Sequence, residues 1–242
     1  MMKHPNYQIK CLNNEKELIS NLVSYIKNDI NNKLVKKNRY QISLCGGSSP
    51  VNCYKLLTKE NIDWHKVDIF LGDERWVDLN SDHSNTKMII DNLIQGYSQR
   101  AVFHSIQTTS LNSPEESSIK FKEKLSEICI GNPPVFDLIL LGLGDDGHTA
   151  SLFPNSNIDY TSEDWTLVSF GKGHQRITLA PSVLSAANKV IFLVTGSKKS
   201  TALKKLLDPL ESSLTTPAKL VNTKNDILIF CDEPAASQVD II

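Results

Sequence analysis

Several signatures are missing from this chain of 242 residues. No apolar run approaches the ~20 residues that a membrane-spanning helix needs. The net charge is −1, so composition supports neither a nucleic-acid surface nor a polybasic membrane patch. Local basic residues remain free to bind a small anion. The five cysteines, Cys11, Cys45, Cys53, Cys129 and Cys231, form an odd set without a CxxC pair. They suggest a reducing compartment, without a disulfide frame or structural zinc. The amino-terminal Met1-Met2-Lys3-His4-Pro5-Asn6 has no apolar signal core. Internal repeats, low-complexity tracts and clear linkers are also lacking. The expectation is a cytoplasmic chain with no membrane or nucleic-acid partner and one domain over residues 1–242.

What is present is enough for a large core, since hydrophobic residues make up 40% of the chain. Leu18, Leu22, Ile26 and Ile30 recur at i+4 beside Ile19 and Val23, the stripe of an amphipathic helix. Tyr40–Leu44, Val67–Leu71, Phe136–Leu141, Trp165–Phe170, Arg176–Leu179, Lys189–Val194 and Ile227–Phe230 read as strands, with Val102-Phe103 a short one. Helices are expected over Val51–Leu57, Ser84–Leu93, Ser113–Ile130 and Ser200–Leu207. Pro50 suits the first helical turn, with Ser48 or Ser49 as the cap. Strands alternating with helices predict an α/β fold with a doubly wound, mainly parallel sheet.

Four segments could carry chemistry. Gly46-Gly47-Ser48-Ser49 follows a strand and precedes a helix. Such a loop can bring backbone N–H groups close to a phosphate, or it can be a plain tight turn. It is not a Walker loop, because the Gly-Lys-Ser/Thr ending is absent. Gly72-Asp73-Glu74-Arg75-Trp76 places charges at the end of an apolar strand. Arg75 could grip a phosphate or a developing oxyanion, or simply pair with a neighbouring acid.

The third segment runs from Phe136 to Pro154, an apolar run that breaks into Gly142-Leu143-Gly144-Asp145-Asp146-Gly147-His148. The glycines spell GxGxxG, and Glu163 lies about twenty residues on, as a dinucleotide fingerprint asks. The acids argue against it, since they put negative charge where a pyrophosphate would rest. Pro154 leaves no room for a long helix, and Glu163 precedes an apolar run instead of ending a strand. His148 beside Asp146 suits general-base chemistry, because a free imidazole titrates near neutrality and a carboxylate can orient it. A histidine that merely caps a turn is the plainer alternative. Asp145, Asp146 and His148 also offer metal donors, but no second histidine stands at HxH or HxxxH spacing.

The fourth is Arg176, with Lys198 and Lys199 after Gly196. These cations could converge on one anion if strand ends meet, or remain solvated surface charge. No GxSxG elbow is present, and Cys45 beside Gly46 reads as a small buried residue more than as a nucleophile.

In order and content these segments resemble the 6-phosphogluconolactonase family. The resemblance rests on Gly46-Gly47-Ser48-Ser49-Pro50, on Asp73-Glu74-Arg75 with Ser84-Asn85, and on Gly142 through Pro154. It continues through Arg176-Ile177-Thr178-Leu179 and Gly196-Ser197-Lys198-Lys199, so it spans Leu44 to Asp232. The related glucosamine-6-phosphate deaminases share the sheet, the phosphate loop and a DGH turn. Thr149-Ala150-Ser151-Leu152-Phe153-Pro154 and Asp73-Glu74-Arg75 favour the lactonase. Ser49, Cys45, Asp78 and Asn155 depart from the family's usual Thr, Ser, Pro and Gly, and the last two bear on loop shape.

The resemblance implies hydrolysis of 6-phospho-D-glucono-1,5-lactone to 6-phosphogluconate, in the oxidative pentose phosphate pathway, without metal or cofactor. It implies His148, Asp146 and Arg75 as catalytic residues. Gly46, Gly47, Ser48, Asp73, Asn85, Arg176 and Lys199 are implied to bind the substrate and its phosphate. The expected partner is that small sugar-phosphate lactone, with the chain acting as a monomer or weak homodimer.

Overall fold

Uninterrupted apolar runs can only be satisfied where both faces of a sheet are covered. The computed structural model describes residues 6–240, and there these runs become the middle of a sheet. The first five residues of the amino-terminal segment and the last two of the expected 1–242 domain lie outside the described residues.

In chain order the elements are β1 (Tyr7–Leu12), α1 (Glu15–Leu34), β2 (Tyr40–Leu44), α2 (Val51–Leu57), β3 (Val67–Leu71) and β4 (Asp73–Arg75). Next come α3 (Asn85–Asn92), β5 (Val102–His104), α4 (Pro114–Ile128), β6 (Leu138–Gly142), β7 (Thr166–Gly171) and β8 (His174–Leu179). The chain ends with α5 (Pro181–Ala186), β9 (Val190–Val194), α6 (Ser200–Leu207), β10 (Ile227–Asp232) and α7 (Glu233–Ala236).

Seven strands form one sheet in the order β1-β10-β9-β6-β2-β3-β5, and every pairing in it is parallel. From β2 the chain winds outward through β3 to β5, then returns to the other side of β2 with β6. The winding direction therefore reverses between β2 and β6, where an open α/β sheet leaves a crevice at its carboxyl edge. Both Gly46–Ser49 and Gly144–His148 leave the sheet at that point.

The expected amphipathic helix is α1, whose Leu18, Ile19, Leu22, Val23, Ile26 and Ile30 are buried. Asn14 caps it by accepting from the Glu17 amide at 3.0 Å. Ser84 and Ser113 cap α3 and α4 in the same way. Pro50, by contrast, occupies the cap position of α2, and neither Ser48 nor Ser49 caps it. The seven residues of α2 also make it too short to act as a strong dipole, so the loop's own backbone faces the crevice.

The expected mainly parallel sheet is present, but three strands lie outside it. β4, β8 and β7 form a separate antiparallel sheet, in that order. Asp73–Arg75, which the sequence shows as charges at the end of an apolar strand, is a strand of its own and begins it. The transfer happens at Gly72. Its N–H donates to the Leu44 carbonyl in the large sheet at 2.9 Å, and its carbonyl accepts from the Leu179 N–H in the small one at 2.9 Å. Strand β1 is also beyond the sequence reading. It lies at the sheet edge, where its half-exposed residues give only a weak apolar pattern.

Candidate active site

At the crevice, five pieces of backbone converge: the loop after β2, the turn after β6, strand β4 with its partner β8, the start of α3 and the turn after β9. They line a cleft of about 200 Å³ with Gly46, Gly47, Ser48, Asp73, Arg75, Asn85, His148, Arg176 and Lys199. These are all the residues that the resemblance implies for catalysis or substrate binding except Asp146, which stands behind His148.

The turn after β6 carries the imidazole–carboxylate pair. His148 Nδ1 hydrogen-bonds Asp146 Oδ1, and the same oxygen accepts from the His148 backbone N–H at 3.1 Å. With Nδ1–H assigned to that bond, Nε2 is the bare ring nitrogen. Burial disfavours the Asp146 carboxylate, but the hydrogen bonds from His148 outweigh it and hold the carboxyl well below its usual range. Gly144 makes this geometry possible. A Cβ there would stand 1.9 Å from His148 Nδ1 and 2.6 Å from Asp146 Oδ1. Only a residue without a side chain allows the imidazole to lie over its own turn.

The segment after His148 is turns and a short bridge between Thr149 and Leu152, with no helix before β7. A dinucleotide site needs a helix there to meet the pyrophosphate, so this geometry excludes the fingerprint reading. Asn155 adopts φ of 52°, a left-handed conformation that glycine takes freely and asparagine tolerates. Its departure from the family's usual Gly thus leaves the backbone path open.

The small sheet supplies cations. Register pairs Arg75 with Arg176, so directly opposed residues of antiparallel strands put both guanidinium groups on one face. Like charges facing each other are unfavourable unless something negative separates them. Part of that charge is Asp73, whose Oδ2 lies 3.4 Å from Arg176 Nη1 and also accepts from the Ser151 hydroxyl. Burial lowers the proton affinity of Arg176, Asp73 partly restores it, and Arg75 lowers it again. Arg176 Nε donates to the Gly171 carbonyl at 3.1 Å, and its guanidinium lies 5.3 Å from the Phe153 ring centre. Phe153 also packs on His148, with ring centres 4.9 Å apart. Phe153 thus lies between the His148 ring and the buried Arg176 guanidinium.

Arg75 donates through Nη1 to the His83 carbonyl, while its buried Nε has no partner among the described residues. Its neighbour Glu74 faces inward. It accepts from the backbone N–H groups of Arg75, Asn85 and Thr86 at 2.7–2.8 Å and fixes the start of α3. Burial pushes the Glu74 carboxyl up, against those hydrogen bonds. Asn85 donates Nδ2 to the Asp73 carbonyl at 2.9 Å and packs on Gly46, where a Cβ would meet its Oδ1 at 2.0 Å. Lys199 approaches from the turn after β9. Burial lowers its ammonium's proton affinity, Asp145 counters this, and Lys172 adds to the lowering.

Cys45 lines the cleft floor, but burial pushes its thiol up to about 12. That fits a packing residue and not a nucleophile. The described residues hold no cluster of three or more His, Cys, Asp or Glu side chains suited to a metal ion. No described helix is long and apolar enough to cross a membrane.

Several contributors were not legible as site residues. Ser151 and Phe153 sat inside a quoted motif without an assigned role. Lys172 had a signal, since Lys172-Gly173 between two strand patterns is a two-residue hairpin loop.

Fold and site together define a class: an open α/β protein whose switch-point crevice sets an imidazole–carboxylate pair against a group of cations. Within it, the chain belongs to the glucosamine-6-phosphate isomerase and 6-phosphogluconolactonase family, whose description matches residues 13–230. It is 30% identical to the 6-phosphogluconolactonase of Synechocystis sp., over 96% of this chain and 98% of that protein. It is 34% identical to a probable 6-phosphogluconolactonase of Arabidopsis thaliana, over 96% of this chain and 94% of that one. Among solved structures, a 6-phosphogluconolactonase from Shewanella baltica superposes with a TM-score of 0.84 at 26% identity, covering 96% of this chain and 99% of its own. A monomeric glucosamine-6-phosphate deaminase reaches 0.79 at 17% identity, covering 96% and 99%. The fold is therefore common to both activities, and the choice between them falls to the residues of the cleft.

Proposed function

We infer that this chain is a 6-phosphogluconolactonase: it hydrolyses 6-phospho-D-glucono-1,5-lactone to 6-phospho-D-gluconate. Its place is the oxidative pentose phosphate pathway of the cytoplasm, and one domain carries the activity as a monomer or weak homodimer. The observation that carries this reading is the His148–Asp146 pair facing Arg75, Arg176 and Lys199 across one cleft. Relatives named for this activity match over nearly their whole length.

A lactone is an activated ester, so water needs only a base and a place for developing charge. His148 Nε2 takes a proton from water as the water oxygen bonds to the ring carbonyl carbon. The carbonyl oxygen becomes an oxyanion, which Arg75 stabilises. Collapse breaks the bond to the ring oxygen, and protonated His148 returns its proton to that leaving oxygen. Water's other proton leaves from the new carboxyl group, so the product is a carboxylate. General acid–base catalysis of this kind contributes ~10²–10⁴-fold. Asp146 keeps the ring in the tautomer that leaves Nε2 bare.

The 6-phosphate is held by the Gly46-Gly47-Ser48 backbone with Arg176 and Lys199. Binding this remote group places the carbonyl near the base. Asp73 orders Arg176, Ser151 and Asn85, and Asn85 reaches the sugar hydroxyls. The reading is tested by initial rates with freshly made lactone, after subtraction of spontaneous hydrolysis. His148→Ala is expected to lose ~10²-fold or more in kcat. A rate near that of the unmodified enzyme overturns the role of His148. Arg176→Met and Lys199→Met are expected to erase the preference for phosphorylated over unphosphorylated gluconolactone. Ammonia release from glucosamine 6-phosphate is expected to be absent.

A further inference from the structure

Strands β7 and β8 are joined by Lys172-Gly173, since Gly171 pairs with His174. Both loop residues have positive φ, 51° and 83°, as the favoured two-residue hairpin turn requires. Glycine suits that conformation and lysine does not. The lysine's position has a consequence at the catalytic turn. Lys172 Nζ lies 3.4 Å from Asp145 Oδ1 and 3.9 Å from Asp146 Oδ2. The other Asp146 oxygen is the one bound to His148. The hairpin tip therefore sets a cation against the outer face of the acid–base pair. Lys172 does not line the cleft itself.

We propose that Lys172 is a positioning residue for the hydrolysis: its ammonium holds Asp145 and the outer oxygen of Asp146, keeping the inner oxygen on His148. This rests on the reading of His148 as the base. With its side chain 49% exposed, Lys172 adds little to stability, so its effect is on the orientation and charge of these carboxylates. Asp145 shows the influence, its carboxyl lowered chiefly by Lys172.

The other charged groups around the pair are few. Asp145 shares its turn, Lys199 comes from the turn after β9, and Arg176 lies behind Phe153 on β8. Glu211 is tied to Thr215 and Thr216, which abuts Gly147. Among the described residues, Lys172 is the cation within salt-bridge distance of both aspartates, while Lys199 acts on them from farther off. Without it, only Lys199, at longer range, offsets the negative charge beside His148. The acid limb of the rate profile then moves to higher pH.

The test compares Lys172→Asn, Lys172→Arg and His148→Ala in the full chain, using fresh lactone between pH 5 and 7.5. Asparagine suits a left-handed turn, so Lys172→Asn keeps the hairpin while removing the charge. The expected result is an acid limb raised by about 0.3–1 pH unit with KM little changed. The shift shrinks as salt rises, and Lys172→Arg restores the original profile. If His148→Ala is inactive but Lys172→Asn overlays the unmodified enzyme, the Lys172 proposal is wrong and the base assignment stands. If Lys172→Asn raises KM without moving the limb, lysine touches substrate and the proposal is again wrong. If His148→Ala remains active, both fall together.

Discussion

Gly144→Ala is the sharpest probe of the acid–base pair, because it adds one methyl group where the imbalance is purely steric. Gly144 does not have the positive φ that disfavours other residues, so the backbone accepts alanine. The new Cβ would lie 1.9 Å from His148 Nδ1 and 2.2 Å from Cε1, so the ring must retreat by about 1.5 Å to reach ordinary contact. It cannot retreat without loosening its bond to Asp146, whose Oδ1 would itself be 2.6 Å away. A displacement of about 1 Å at a reacting group costs ~10²-fold, so kcat should fall by about 10²–10³, or roughly 3–4 kcal/mol of barrier. The phosphate cradle is built from other elements, so KM should change little. Stability should hold within about 3 kcal/mol, since strain at the turn is partly offset by the stiffer unfolded chain. The assay is the initial rate of lactone hydrolysis against the spontaneous rate, with a thermal melt to show folding. A folded Gly144→Ala enzyme with nearly unchanged kcat would refute the claim that this imidazole works from a fixed position.

Three further outcomes follow from the same geometry. Gly46→Ala puts a Cβ 2.0 Å from Asn85 Oδ1, so it should displace Asn85 from Asp73 and raise KM by about 5–100-fold, the worth of one hydrogen bond to a charged network; an unchanged KM contradicts this. Asp68 pays for burial with bonds to His104, Arg39 and Gln41, which together hold its carboxyl well below the usual range. A depressed carboxylate contributes stability above its unfolded pKa of about 3.9 and loses it as pH falls. Asp68→Asn should therefore cost about 1–3 kcal/mol at pH 7, and denaturant melts should show the gap closing in acid. The Cys45 thiol, buried and pushed up to about 12, should resist alkylation in the native enzyme; inactivation by iodoacetamide that Cys45→Ser abolishes would show otherwise.

The sequence revealed the parts of the fold that depend on local pattern. Long apolar runs marked β3, β6 and β9, and the i+4 stripe marked α1, because burial on one or both faces leaves a direct trace in residue order. Motif residues likewise pointed to the crevice. What pattern could not show was which sheet a strand joins. Asp73–Arg75 is too short and too charged to announce itself, and its strand character comes from pairing with β8, a partner about a hundred residues away. The same long-range pairing creates the Arg75–Arg176 face. Glu74 was read only as one charge among three, yet it is an internal anchor for backbone amides. Its role depends on burial, which no neighbouring residue discloses.

The double allegiance of Gly72 has a consequence for how the site is aligned. One residue ties the two sheets together, its N–H bonded into one and its carbonyl into the other, with no linker between them. The imidazole follows one sheet and the two guanidinium groups stand on the other, so the backbone at Gly72 helps set the gap between them. The same residue therefore aligns a base proposed on one sheet with Arg75, its proposed oxyanion partner, on the other.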